Sequence, residues 1–125
     1  MKRGYKRKVR VVFVASGSLR RTQAAAEFAA ASGWMEAQAY SWPPMMAASG
    51  QAVQEPPWLW ADLVVALDMG AYQALPPLPS AVQVKYYDFP EPADEAAWPA
   101  LCAALRRSVE GLAAGLAMMQ RAAQE

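Results

Sequence analysis

One stretch decides the fold of this chain: Val11-Val12-Phe13-Val14-Ala15-Ser16-Gly17-Ser18-Leu19-Arg20-Arg21-Thr22. Its first four residues form an apolar run of the kind that is buried on both faces of a parallel sheet. A short Ser/Gly turn and two arginines follow, and then the alanine-rich start of a helix. This order of strand, loop and helix brings backbone N–H groups and a helix N-terminus to one point, which favours the binding of an oxyanion.

The rest of the chain continues the alternation of strands and helices. The apolar patterns predict strands at residues 8–14, 36–42, 61–67 and 81–89, a helix over 19–32 that stops at Gly33, a helical turn over 68–74 and a long helix over 99–122. Five Pro and Gly residues predict a long loop over residues 43–57. Strands that alternate with helices indicate one α/β domain over residues 1–125, with a parallel sheet covered on both faces.

The last predicted helix carries an apolar stripe with spacings of three and four residues: Leu101, Leu105, Val109, Leu112, Leu116 and Met119. Gly111 and Gly115 interrupt this helix, and each costs about 1 kcal/mol relative to alanine. We interpret the two glycines as positions where the helix approaches the sheet closely.

Composition excludes several classes of protein. The chain has 125 residues, of which 55% are hydrophobic, and it has no histidine and the single cysteine Cys102. An internal disulfide, a zinc site and a His-based catalytic triad are therefore excluded, and we expect no metal and no cofactor. No run approaches the roughly 20 apolar residues that span a bilayer, and the N-terminus has no signal-peptide core. We expect a cytoplasmic protein without membrane contact.

Charge is distributed unevenly along the chain. Residues 1–10 carry six of the twelve cationic side chains and no acid, so the remaining chain has six cations against eleven acids. A basic arm over residues 1–8 makes an interaction module an alternative function, with a nucleic acid or an acidic surface as its partner. No patch of basic residues interleaved with aromatic residues follows, so we favour a solvated lead-in to the first strand over nucleic-acid binding.

Four segments, taken in order, resemble the low-molecular-weight protein tyrosine phosphatases, most of all the short bacterial members. Gly17, Arg21 and Thr22 match the phosphate-binding loop, in which a Cys is followed by five residues, an Arg and a Ser or Thr. The other matches are Ala25-Ala26-Glu27-Phe28, the segment from Trp60 to Asp68, and Asp88-Phe89-Pro90-Glu91-Pro92. The resemblance implies a three-layer α/β/α fold whose four parallel strands lie in the order 2-1-3-4.

The resemblance also implies a role for each matching position. In the family, a Cys thiolate attacks phosphorus, the arginine holds two phosphate oxygens, and an aspartic acid protonates the leaving group. In this chain Ala15 occupies the nucleophile's position, Arg21 the position of the arginine and Glu91 that of the acid. Four further positions depart from the family pattern: Ser18 replaces an Asn, Arg20 a second Cys, Gln23 a Pro and Ala93 an aromatic residue.

Three side chains are candidates to replace the missing nucleophile: Ser16, Ser18 and Cys102. Ser16 and Ser18 have no histidine to activate them, and Cys102 is expected to be a small buried side chain of the last helix. Two adjacent arginines are unfavourable at the positive end of a helix unless an anion is bound there. The expected phosphate contacts come from residues 16–22: Ser16, Gly17, Ser18, Leu19, Arg20, Arg21 and Thr22. Of the two arginine side chains, we expect that of Arg21 to form the fork in the loop and that of Arg20 to point to solvent or to a partner.

The sequence therefore predicts a catalytically impaired homologue that binds phosphate or a phosphorylated ligand, with a phosphotyrosine protein as one such ligand. The first alternative is a tyrosine phosphatase whose nucleophilic cysteine has been replaced by Ala15, either a weak enzyme or one inactivated by engineering. The second is the interaction module that uses the basic arm. Nothing in the sequence indicates an oligomeric state.

Overall fold

A computed structural model describes residues 8–44 and 55–124 of the chain. The predicted basic arm, apart from Lys8, and most of the predicted 43–57 loop lie outside the described residues. The strands are β1 (Val9–Ala15), β2 (Met35–Ser41), β3 (Leu63–Ala66) and β4 (Gln83–Tyr86). The helices are α1 (Arg20–Ser32), α2 (Met69–Gln73) and α3 (Trp98–Gln124), and a 3₁₀ turn (Glu95–Ala97) leads into α3.

The four strands form one parallel sheet in the order β2-β1-β3-β4, as predicted. β1 lies in the middle, where Phe13 is in register with Ala39 on one side and Val65 on the other. β1 and β3 are therefore almost fully buried, which explains their continuous apolar sequences. β4 is an edge strand and is mostly exposed.

Side chains alternate between two apolar clusters, one on each face of the sheet. Val11 and Phe13 pack on the face that α1 and α3 cover. Val12 and Val14 pack on the opposite face, beneath Ala71 of α2 and a set of tryptophans, Trp42, Trp58 and Trp60. The sheet is thus the middle of three layers, with α1 and α3 on one face and α2 on the other.

Helix α1 ends where the sequence predicts. Gly33 has a φ of +82°, which an L residue with a side chain adopts only with strain, and its N–H donates to the carbonyl of Ala30. The chain then turns directly into β2.

Helix α3 differs from its prediction in two respects. Leu105, Val109, Leu112 and Leu116 are buried, but Met119 is 55% exposed and does not belong to the stripe. The interpretation of Gly111 and Gly115 as close-contact positions is also wrong, because a Cβ at either position would meet nothing within 4 Å. The second half of α3 instead borders an open groove of about 630 Å³ beside β4.

Within residues 8–44 and 55–124, no helix is both long and apolar enough to cross a membrane.

Candidate functional site

A cleft of about 540 Å³ lies at the carboxyl ends of β1 and β3, where parallel sheets place their ligands. The loop between β1 and α1 forms one wall, and the segment after β4 forms the other. Five of the predicted site residues line this cleft together with three residues that were not predicted: Ser16, Gly17, Ser18, Arg21 and Glu91, with Asp68, Gly70 and Pro90.

The loop wall presents backbone amides. Gly17 has a φ of +79°, and its carbonyl accepts a hydrogen bond from the Ser41 hydroxyl of β2. The Ser18 hydroxyl accepts a hydrogen bond from the Arg20 amide at 3.0 Å, so the first N–H of α1 already has an acceptor. Among the described residues, no group accepts a hydrogen bond from the amides of Gly17, Ser18 and Leu19. These N–H groups are free to bind an acceptor at the positive end of α1.

Asp68 is the organising residue that sequence reasoning missed. Its Oδ2 accepts hydrogen bonds from the Ser16 amide at 3.0 Å, from the Ser16 hydroxyl at 2.8 Å and from Nη1 of Arg21 at 2.9 Å. Its Oδ1 accepts from the Ala71 amide at 2.8 Å and caps α2. One carboxylate therefore joins the loop, α1 and α2.

These hydrogen-bond donors stabilise the ionised form of Asp68. Burial by itself raises the pKa of Asp68, but the hydrogen bonds from Ala71, Ser16 and Arg21 outweigh it and keep that pKa below its ordinary value. Asp68 is consequently ionised at neutral pH and is a weak proton acceptor.

Arg21 lies beneath the cleft with only 1% of its surface exposed. Besides Asp68, its Nη1 donates to the Phe89 carbonyl at 2.7 Å and its Nη2 to the Ser16 carbonyl at 2.6 Å. Its Nε is buried and has no hydrogen-bond partner among the described residues. Arg21 thus holds both walls of the cleft together and still has a donor without an acceptor.

Glu91 approaches the same guanidinium from the other wall. Its Oε1 lies 3.2 Å from Nη2 of Arg21, and its side chain is 46% exposed. The cleft therefore combines one buried cation with two carboxylates, those of Asp68 and Glu91.

Arg20 does not line the cleft. It precedes Arg21 in α1, and successive side chains of an α-helix point about 100° apart, so the two arginines face different sides of the helix. Its two Nη atoms donate to the two carboxylate oxygens of Glu95, each at 2.6 Å, and its guanidinium stacks 3.8 Å from the Trp98 ring centre. The hydrogen bond raises the pKa of Arg20 and lowers that of Glu95. The Arg20 side chain, expected to point to solvent or to a partner, thus makes contacts that tie α1 to the start of α3.

Ala15, Leu19 and Thr22 also lie outside the lining of the cleft. Ala15 is completely buried in the cluster beneath α1 and α3, so the position of the family's nucleophile does not open into the cleft. Thr22 is completely buried too, and its hydroxyl donates to the Leu19 carbonyl at 3.0 Å. Leu19 is 40% exposed, and its amide donates to no acceptor among the described residues.

The arrangement favours binding over covalent chemistry. The Ser16 hydroxyl donates to Asp68, whose lowered pKa makes it a poor base for activating a serine. Cys102 lies on α3, is only partly buried and does not line the cleft. In the described part of the chain, no group of three or more acidic, His or Cys side chains is placed to hold a metal ion.

No protein-family model matches this chain, and no curated protein matches it in sequence.

Proposed function

We propose that this protein binds inorganic phosphate, or the phosphate group of a phosphorylated ligand, in the cleft at the N-terminus of α1, and does not hydrolyse it. The observation that carries the proposal is the set of free amides of Gly17, Ser18 and Leu19 beside the buried guanidinium of Arg21. Consecutive amides at a helix N-terminus and a guanidinium are the donors that bind phosphate oxygens.

The electrostatics of the loop support an anionic ligand. The N-terminus of α1 carries a positive partial charge equivalent to about half an elementary charge. Its first turn contains no acidic side chain, and Leu19 at its N-cap makes no side-chain cap. The Ser18 hydroxyl accepts only from the Arg20 amide, so the remaining amides at this helix N-terminus are backbone donors that an anion can satisfy.

The absence of hydrolysis follows from the side chains that surround these donors. Ala15 offers no nucleophile and is buried, and Ser16 faces a weakly basic carboxylate. The resemblance of the loop to the low-molecular-weight tyrosine phosphatases agrees with this proposal, since the chain keeps the loop's Gly17 and Arg21 and lacks its cysteine. The protein is, on this proposal, a catalytically impaired homologue of those enzymes.

Thermal unfolding with increasing inorganic phosphate tests the proposal. A ligand at about 100 times its Kd adds about 2.7 kcal/mol to the free energy of unfolding. For a chain of this length the increase in Tm is roughly 10 °C. A Tm that does not depend on phosphate at constant ionic strength would contradict the proposal.

A matched pair of variants links the effect to the free amides. Leu19→Pro removes one N–H, and the backbone φ of −77° at this position already suits a proline ring. Leu19→Ala keeps the N–H and truncates the same partly exposed side chain. We expect Leu19→Pro to weaken phosphate binding roughly tenfold, the value of one hydrogen bond to a charged acceptor, while Leu19→Ala binds like the parent. Far-UV circular dichroism checks that both variants are folded.

A further inference from the structure

Glu91 differs from the other acceptors around Arg21 in its longer distance and in its exposure to solvent. The Ser16 carbonyl, the Phe89 carbonyl and Asp68 lie 2.6–2.9 Å from the guanidinium nitrogens and belong to the loop, to the segment after β4 and to the α2 cap. The Glu91 oxygen lies farther away, at 3.2 Å, on a side chain that is 46% exposed. It is the acceptor that a ligand can replace with the smallest change in the protein.

We propose that Glu91 is an internal carboxylate competitor that makes the cleft select phosphate-like oxyanions over carboxylates. This inference rests on the proposed function, because it concerns the same site. In the free protein the Glu91 carboxylate lies 3.2 Å from Nη2 of Arg21, and a phosphate oxygen takes its place when the ligand binds. Glu91 is thereby a specificity-determining residue.

The chain around Glu91 is held at both ends. On one side, the Phe89 amide donates to the Leu67 carbonyl at 2.8 Å, while the Phe89 carbonyl accepts from Arg21. On the other side, Glu95 is bound through both oxygens by Arg20. Pro90 and Pro92 restrict the backbone between these anchors. The carboxylate is therefore kept close to Arg21 at a high effective concentration, in the millimolar range or above.

Selectivity follows from the number of donors that each anion engages. A free carboxylate such as acetate offers two oxygens and must compete with a tethered group of the same chemistry. Phosphate offers additional oxygens, which reach the free amides of the loop as well as Arg21. Glu91 thus suppresses the binding of simple carboxylates and only weakens that of phosphate.

Binding of phosphate and acetate to the parent, to Glu91→Gln and to Glu110→Gln tests this inference. The Gln variant at position 91 keeps the size of the half-exposed side chain and removes its charge. Glu110 pairs with Arg106 on the exposed side of α3 and is not part of the cleft, so Glu110→Gln controls for the change in net charge. Affinities are measured by isothermal titration calorimetry at neutral pH and constant ionic strength.

We expect Glu91→Gln to bind phosphate about fivefold or more tightly than the parent, and to bind acetate measurably. Glu110→Gln is expected to match the parent within about twofold, since exposed charges at a distance are screened. If Glu91→Gln binds phosphate no more tightly than the parent does, Glu91 is not a competitor, although the proposed function stands. If neither protein binds phosphate, the proposed function fails and this inference fails with it.

Discussion

Replacing Asp68 with asparagine tests how the cleft is held together. The amide keeps an oxygen that accepts from Ala71, and asparagine caps a helix about as well as aspartate does. It removes the negative charge that lies 2.9 Å from Arg21 and converts one acceptor oxygen into a donor. The hydroxyl and amide of Ser16 and the guanidinium of Arg21 then lose their common acceptor.

The size of the effect follows from the burial of the pair. Removing one partner of a buried ion pair costs about 3–5 kcal/mol. Because Arg21 keeps Glu91 and the carbonyls of Phe89 and Ser16 as acceptors, we expect the lower value, about 3 kcal/mol, and a fall in Tm of roughly 10 °C. Asp68→Ala also removes the cap of α2 and is expected to cost about 1 kcal/mol more.

The acid dependence gives an independent check. A carboxyl whose pKa is lowered by folding stabilises the protein above its unfolded pKa, about 4 for an aspartate, and loses that contribution as the pH falls through the lowered value. The stability difference between the parent and Asp68→Asn is therefore constant near neutral pH and shrinks below about pH 4. Urea unfolding followed by tryptophan fluorescence between pH 2 and pH 7 measures it. A variant within about 1 kcal/mol of the parent at pH 7, or a difference that persists in acid, would refute the reasoning.

Two further substitutions test the account elsewhere in the chain. Gly111→Ala is expected to raise the free energy of unfolding by about 1 kcal/mol, because its Cβ meets nothing within 4 Å and alanine favours a helix; a lower urea midpoint would contradict this. Ala15→Cys is expected to leave the hydrolysis of p-nitrophenyl phosphate at the parent's background, because the new thiol is buried and does not open into the cleft. Thiol-dependent turnover in Ala15→Cys would favour the alternative of a phosphatase that has lost its nucleophile.

The parallel sheet and the position of the loop were predictable from local signals, because the apolar run of β1, the Ser/Gly turn and the alanine-rich helix follow one another directly. The strand order, which the structure confirms, was implied by the resemblance to the low-molecular-weight tyrosine phosphatases. Gly33 marked the end of α1 because only a left-handed residue terminates the helix in this way.

The connections across the cleft were not predictable in the same way. Asp68 is 52 residues from Ser16 and 47 from Arg21, and the sequence marks it only as the start of a helical turn and the end of the segment that resembles the phosphatases. The sequence predicts different directions for the side chains of Arg20 and Arg21, but it does not reveal that Glu95 and Trp98 are the partners of Arg20. The glycines of α3 were misinterpreted because nothing local reveals that this half of the helix borders an open groove.

A titration of the protein with inorganic phosphate, followed by ¹H–¹⁵N NMR at constant ionic strength, tests the central claim most directly. We predict saturable shifts at the amides of Gly17, Ser18 and Leu19 and at the Nε–H of Arg21, with smaller changes around Glu91. Shifts that increase without saturation, or that are confined to the basic residues 1–8, would contradict a phosphate site in the cleft and would favour the basic arm as the binding element.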